Sequence, residues 1–118
     1  MKLKGIVVKG KGRGVGLGFP TANIELDGPL PEFGIYAVWV YWKGTRLKGA
    51  LSCGPAYTFN ETKPTLEVFI LDFKSDLYGQ EIQIEIVKKI RDMEKFDSSE
   101  KLSEQIKKDC EEIRKILK

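Results

Sequence analysis

Ile35-Tyr36-Ala37-Val38-Trp39-Val40-Tyr41-Trp42, turned at Lys43-Gly44 and followed by Arg46 to Cys53, decides the fold. A run this rich in β-branched and aromatic residues fits a pleated, half-buried surface and predicts a strand. The Lys-Gly turn makes Arg46–Cys53 its expected hairpin partner. Working outward, Ala22-Asn23-Ile24-Glu25-Leu26 predicts a short strand, closed by Asp27-Gly28-Pro29-Leu30-Pro31, which cannot hold a regular ladder. Gly5-Ile6-Val7-Val8-Lys9 predicts another. Downstream, Thr65 to Phe73 and Glu81 to Ile90 are expected as two more, joined across Asp76-Leu77-Tyr78-Gly79. About six strands linked mostly by short turns favour an antiparallel closed barrel over a βαβ sheet. The period then changes. Leu102, Ile106, Cys110, Ile113 and Leu117 recur at three- and four-residue steps, which predicts an amphipathic helix packed on one face of the barrel. Asp97, Ser98 and Ser99 offer N-caps, and Glu100 and Glu104 sit near the positive end of its dipole.

The 118 residues suit a single domain spanning 1–118, with 42% apolar and 31% charged residues typical of a soluble globular chain. No apolar run approaches the ~20 residues of a membrane helix, and Met1-Lys2-Leu3-Lys4-Gly5 lacks the apolar core of a secretory signal. No histidine is present, and Cys53 and Cys110 are far apart, which excludes zinc fingers, Ser-His and Cys-His catalysis, and histidine-bound metals. A metal must therefore be held by oxygen, as Mg²⁺ is. A reducing cytoplasm is the expected compartment, and a chain this small is expected to be a monomer. Residues 1–24 carry Lys2, Lys4, Lys9, Lys11 and Arg13 and no acid, whereas the rest holds 15 bases and 17 acids. Such a segment suits an anionic partner, although solvated lysines on a strand face would read the same way.

Gly10-Lys11-Gly12-Arg13-Gly14-Val15-Gly16-Leu17-Gly18 places a glycine at every second position. Leu17, Phe19 and Thr21 fall where the last glycine of a GxGxxG pattern belongs, and Gly12 stands where a Walker motif needs Ser or Thr. The segment belongs to neither class. Glycines still let backbone N–H groups approach an anion closely, so it is a phosphate cradle or else a hairpin tip. In Phe19-Pro20-Thr21-Ala22-Asn23, an extended chain would project Thr21 and Asn23 from one face. A hydroxyl and an amide oxygen side by side suit hydrated Mg²⁺, or form an ordinary polar strand face. In Thr65 to Phe73, Leu66, Val68 and Ile70 share one face, while Glu67 shares the other with Phe69, Leu71 and Phe73. A carboxylate among large hydrophobes is costly unless partnered, and burial suits a general base. A glutamate reaching solvent from a strand end is the alternative.

These stretches resemble one family in order along the chain. Gly14 to Asn23 resembles the GRxLGxPTAN signature of the riboflavin kinases (flavokinases). Gly34-Ile35-Tyr36-Ala37 resembles their G-[VI]-Y strand, Leu66 to Phe73 their E-x-H-[IL]-L-x-F strand, and Asp76-Leu77-Tyr78-Gly79 their D-[LF]-Y-G turn. Ile90 to Ser98 resembles their L-R-x-E-x-x-F-x-S segment, and Gln105-Ile106 with Asp109 their Q-I-x-x-D helix.

The resemblance implies a six-stranded, Greek-key-like antiparallel barrel with a C-terminal helix. It also implies an enzyme moving the γ-phosphate of a nucleoside triphosphate, ATP, to the 5′-hydroxyl of riboflavin. Thr21 and Asn23 would hold Mg²⁺ and phosphates, and Glu67 would be the base. Gly10, Lys11, Gly12, Arg13, Gly14 and Gly18 would surround the nucleotide, and Arg91 and Phe96 would belong to a flap beside the flavin. Val15 stands where bacterial members commonly carry arginine, Phe69 replaces a frequent histidine, and Tyr57 takes a proline position. These departures bear on nucleotide preference and flap conformation. The adenylyltransferase domain that precedes the kinase in bacterial bifunctional proteins has no room here, so a monofunctional kinase making FMN is expected. Two other readings stay open: an OB-like nucleic-acid binder using Tyr36, Trp39, Tyr41 and Trp42, and a flavin-binding regulator without catalysis.

Overall fold

A computed structural model of the chain describes residues 2–10 and 18–118. Six antiparallel strands, β1 (Lys2–Val8), β2 (Ala22–Leu26), β3 (Gly34–Trp42), β4 (Thr45–Pro55), β5 (Pro64–Ile70) and β6 (Glu81–Arg91), precede one helix, α1 (Ser99–Ile116). The strands close into a barrel in the order β1-β2-β5-β4-β3-β6. Strands β3, β4 and β5 follow one another as neighbours, and β6 returns to lie beside β3, which is the Greek-key order. The β3–β4 hairpin turns on Lys43 (φ 47°) and Gly44 (φ 76°), and two successive positive φ values match the twist of the flanking strands.

Alternation sorts the side chains into two cores. Inward positions, among them Val7, Ile24, Tyr36, Val38, Val40, Leu51, Cys53, Leu66, Val68, Ile82 and Ile84, fill the barrel. Gly49 belongs to that crowd: a Cβ there would lie 3.0–3.1 Å from Val68, Val38 and Val40. Outward residues Ala37, Trp39, Ala50 and Phe69 meet Ile106, Cys110, Ile113 and Leu117, the helical stripe, in a second core outside the barrel wall. Ser98 caps the helix, accepting from Lys101 N–H at 3.2 Å. Both cysteines are free and buried, and burial pushes the Cys110 thiol up to about 11, as suits a packing residue.

One expected alternation breaks. β5 ends at Ile70, three residues before Phe73, and Asp72 adopts φ 58°. That turn sends Phe73 back to the barrel's end, edge-on to Trp42 at 5.7 Å, rather than onto the face of Glu67. The aromatics of β3 divide by parity. Tyr36 is buried inside, while Trp39 lies outside beneath the Arg46 guanidinium at 3.9 Å, and Tyr41 donates to Glu85 at 2.7 Å.

Candidate active site

Strand register places the polar residues of the site. Asn23 on β2 lies opposite Glu67 on β5, and Glu67 lies opposite Ser52 on β4, so the three form one row on the outer face of the barrel. Thr21, just before β2, donates its hydroxyl to Glu67 Oε1 at 2.6 Å. Thr65, two residues before Glu67 and therefore on the same face, donates to Oε2 at 3.1 Å. Glu67 is half-buried and both of its oxygens have partners, which removes the cost of a bare carboxylate among apolar neighbours.

Two cavities flank this cluster. The first, about 490 Å³, lies between the outer face of β4 and β5, helix α1 and the segment 92–98. Phe19, Ala50, Phe69, Met93, Phe96 and Ile106 supply apolar wall, and Ser52, Thr65 and Glu67 supply polar points. Its size and mostly apolar lining suit a drug-sized molecule. The second, about 400 Å³, runs past Thr21 and Asn23 to Lys74, Ser75, Asp76 and Tyr78. Four residues border both: Lys9, Gly10, Thr21 and Asn23. A Cβ at Gly10 would fall 1.7 Å from Asn23 Nδ2, so any side chain there would displace the Asn23 amide.

The outer wall of the first cavity is tied down at several points. Arg91, the last residue of β6, reaches Asp109 Oδ2 through Nη2 at 2.8 Å and both Asp109 oxygens through Nε at 3.0 and 3.1 Å. Asp109 is 4% exposed and also accepts from Gln105 at 3.0 Å. Phe96 N–H donates to Thr58 Oγ1 at 3.1 Å, Lys95 reaches Asn60 at 2.7 Å, and the Arg91 guanidinium faces the Phe96 ring at 5.7 Å.

The expected site residues therefore distribute unevenly. Thr21, Asn23, Glu67 and Gly10 converge; Arg91 and Phe96 line the first cavity; Gly18 (φ 81°) lines neither. Lys11, Gly12, Arg13 and Gly14 lie outside the described residues. Thr65 is a site residue that the sequence reading does not single out, and Lys9 enters there only as part of the basic first segment. The i, i+2 spacing of Thr65 and Glu67 was the available signal for the first.

A family model for flavokinase, the riboflavin kinases, matches residues 1–117. The chain belongs to the riboflavin kinase family. A bifunctional riboflavin kinase/FMN adenylyltransferase from Bacillus subtilis is 41% identical over 115 residues, covering 93% of this chain and 36% of that protein. A protein described as an RNA-binding riboflavin kinase from the same organism is also 41% identical, covering 91% of this chain and 47% of its own length. A crystal structure described as a macrolide-efflux protein from Streptococcus pneumoniae superposes with a TM-score of 0.86 at 37% identity, over 96% of this chain and 38% of the other. The chain thus spans about a third to a half of these relatives, and the barrel-plus-helix is a riboflavin kinase fold. Among the described residues, no helix is long and apolar enough to cross a membrane.

Proposed function

We propose that the chain transfers the γ-phosphoryl group of ATP to the 5′-hydroxyl of riboflavin, giving FMN and ADP. One observation carries the reading: the hydrogen-bonded pair Thr21–Glu67 stands where an apolar, flavin-sized cavity meets a second, more polar one. A two-substrate transfer needs two sites meeting at the reacting atoms, since alignment supplies much of the rate. Riboflavin fills the first cavity with its ring system between Phe69 and the Met93–Phe96 wall, and its ribityl chain runs toward Glu67. The triphosphate enters the second cavity past Lys9 and Gly10. Glu67 accepts the 5′-hydroxyl proton as that oxygen bonds to the γ-phosphorus and the bond to the bridging β–γ oxygen breaks.

The donor set fits a hard divalent cation. Thr21 gives its hydroxyl proton to Glu67 and keeps its oxygen lone pairs free, and Asn23 adds an amide oxygen. These two residues would hold Mg²⁺, which when bound neutralises charge on the β- and γ-phosphate oxygens.

The test mixes protein, riboflavin, Mg²⁺ and either ATP or CTP and separates FMN by chromatography. FMN formation is the expected result, and the two donors settle nucleotide choice. Tight flavin binding without product would point to a regulator instead. Salt-sensitive oligonucleotide binding with no flavin response would restore the OB-like reading.

A further inference from the structure

We propose that Thr65 is a positioning residue that fixes the rotamer of Glu67, an inference that rests on Glu67 acting as the base. Glu67 Oε1 is held by Thr21 and Oε2 by Thr65. The two holders are not equivalent. Thr21 precedes β2 and has no ladder partner, and its oxygen is also the one assigned to the cation. Thr65 lies within β5, with its backbone opposite Gly54 of β4; it borders the first cavity and is not assigned to the cation. Its hydroxyl proton has two acceptors in reach, Glu67 Oε2 at 3.1 Å and the Gly54 carbonyl at 3.4 Å. A hydroxyl donates only once, and the nearer, charged acceptor makes the stronger bond.

A carboxylate offers about four acceptor positions. Among the described residues, Thr21 and Thr65 take one on each oxygen, which leaves one on each for a substrate hydroxyl. Loss of the Thr65 bond would free the carboxylate to rotate about its last torsion, a broad and soft one. Valine has nearly the same shape and is likewise enriched in strands, so replacing Thr65 with valine removes the hydroxyl while keeping the strand residue's form.

The experiment compares Thr65→Val, Thr65→Ser, Glu67→Gln and the double variant Thr65→Val/Glu67→Gln. Circular dichroism and riboflavin binding verify folding, and Thr65→Ala serves if valine does not fold. We expect Thr65→Val to lower kcat about ten- to hundredfold, the span of one hydrogen bond to a charged group, and to change the riboflavin KM by a much smaller factor. Thr65→Ser should recover most of the rate. Adding Thr65→Val to Glu67→Gln should change the rate by less than about twofold, because a residue acting through Glu67 has nothing left to position. Wild-type kcat in Thr65→Val, equal losses in valine and serine variants, or independent multiplication of the two losses would overturn the proposal. Wild-type turnover in Glu67→Gln would instead remove the base itself, so the two failures are distinct.

Discussion

At the scale of single residues, the site depends on where a few side chains are prevented from going. Gly10 shows this. An added Cβ would land 1.7 Å from the Asn23 amide, whose short side chain can swing aside while the backbone stays in place. Gly10→Ala should therefore leave the melting temperature nearly unchanged and riboflavin affinity intact. The Mg²⁺ requirement and the KM for ATP should rise together, by about tenfold or more if one oxygen contact to the ion is lost. Calorimetric titration with riboflavin and with Mg·ADP separates the two effects; equal weakening of both ligands would refute the assignment of Asn23 to the cation side. Glu67→Gln belongs to the same scale. It preserves shape and the acceptor oxygen but removes proton affinity, so FMN turnover should fall roughly 10²-fold or more with flavin affinity retained. A quenched-flow time course beside a flavin fluorescence titration measures both.

At the scale of elements, the helix and the barrel are joined by ion pairs of different depth. The Arg91–Asp109 pair is 15% and 5% exposed, and it fixes where the 92–98 segment leaves β6. Asp109→Ala strands the guanidinium and should cost about 3–5 kcal/mol, whereas Arg91→Met combined with Asp109→Leu should recover most of that stability. Urea unfolding of the two variants distinguishes them, and equal midpoints would argue against a desolvated pair. Arg114–Asp72 is the exposed counterpart, tying α1 to the turn after β5 at 2.7 Å. The Arg114 hydrogen bond holds the Asp72 carboxyl below its usual range. A depressed folded value means that the contribution is present above the unfolded value of about 3.9 and is lost as pH falls through the folded one. Wild type and Asp72→Asn should thus differ in melting temperature above about pH 4 and converge in stronger acid, with added salt narrowing the gap. A constant gap down to pH ~2 would exclude this origin. Element types and the outward face of Glu67 were readable from sequence because a period of two fixes a side chain's face, whereas the β2–β5 pairing that sets Asn23 opposite Glu67 was not. The end of β5 was not, because the left-handed backbone at Asp72 carries no glycine to announce it. Nor were the two cavities, which depend on how far the 92–98 segment stands off the barrel, a matter of tertiary contacts such as Arg91–Asp109 and Phe96–Thr58.

At the scale of the whole molecule, having two cores rather than one divides the protein's stability. The barrel interior is sealed by strand pairing around the full ring, but the outer core is a single helix laid on a wall, with the first cavity along its edge. Leu102, Ile106 and Asp109 of the helix border that cavity, as do Met93 and Phe96 of the segment before it. Riboflavin bound there would contact both sides of the helix–barrel junction, so any opening that lifts the helix must first release the ligand. At a ligand concentration of 100 Kd this linkage is worth about 2.7 kcal/mol, equivalent to about a hundredfold slowing of exchange through that opening. Amide hydrogen exchange should therefore slow by up to this factor in residues 92–116 when riboflavin is added. The pairing of β1 with β6, remote from the cavity, should change little. Mass-spectrometric exchange at fixed pH, with and without riboflavin, resolves the two regions. Uniform protection of all strands would mean that the helix opens only with global unfolding. Protection confined to β1 and β6 would place the flavin elsewhere and undo the arrangement of the two substrates about Thr21 and Glu67.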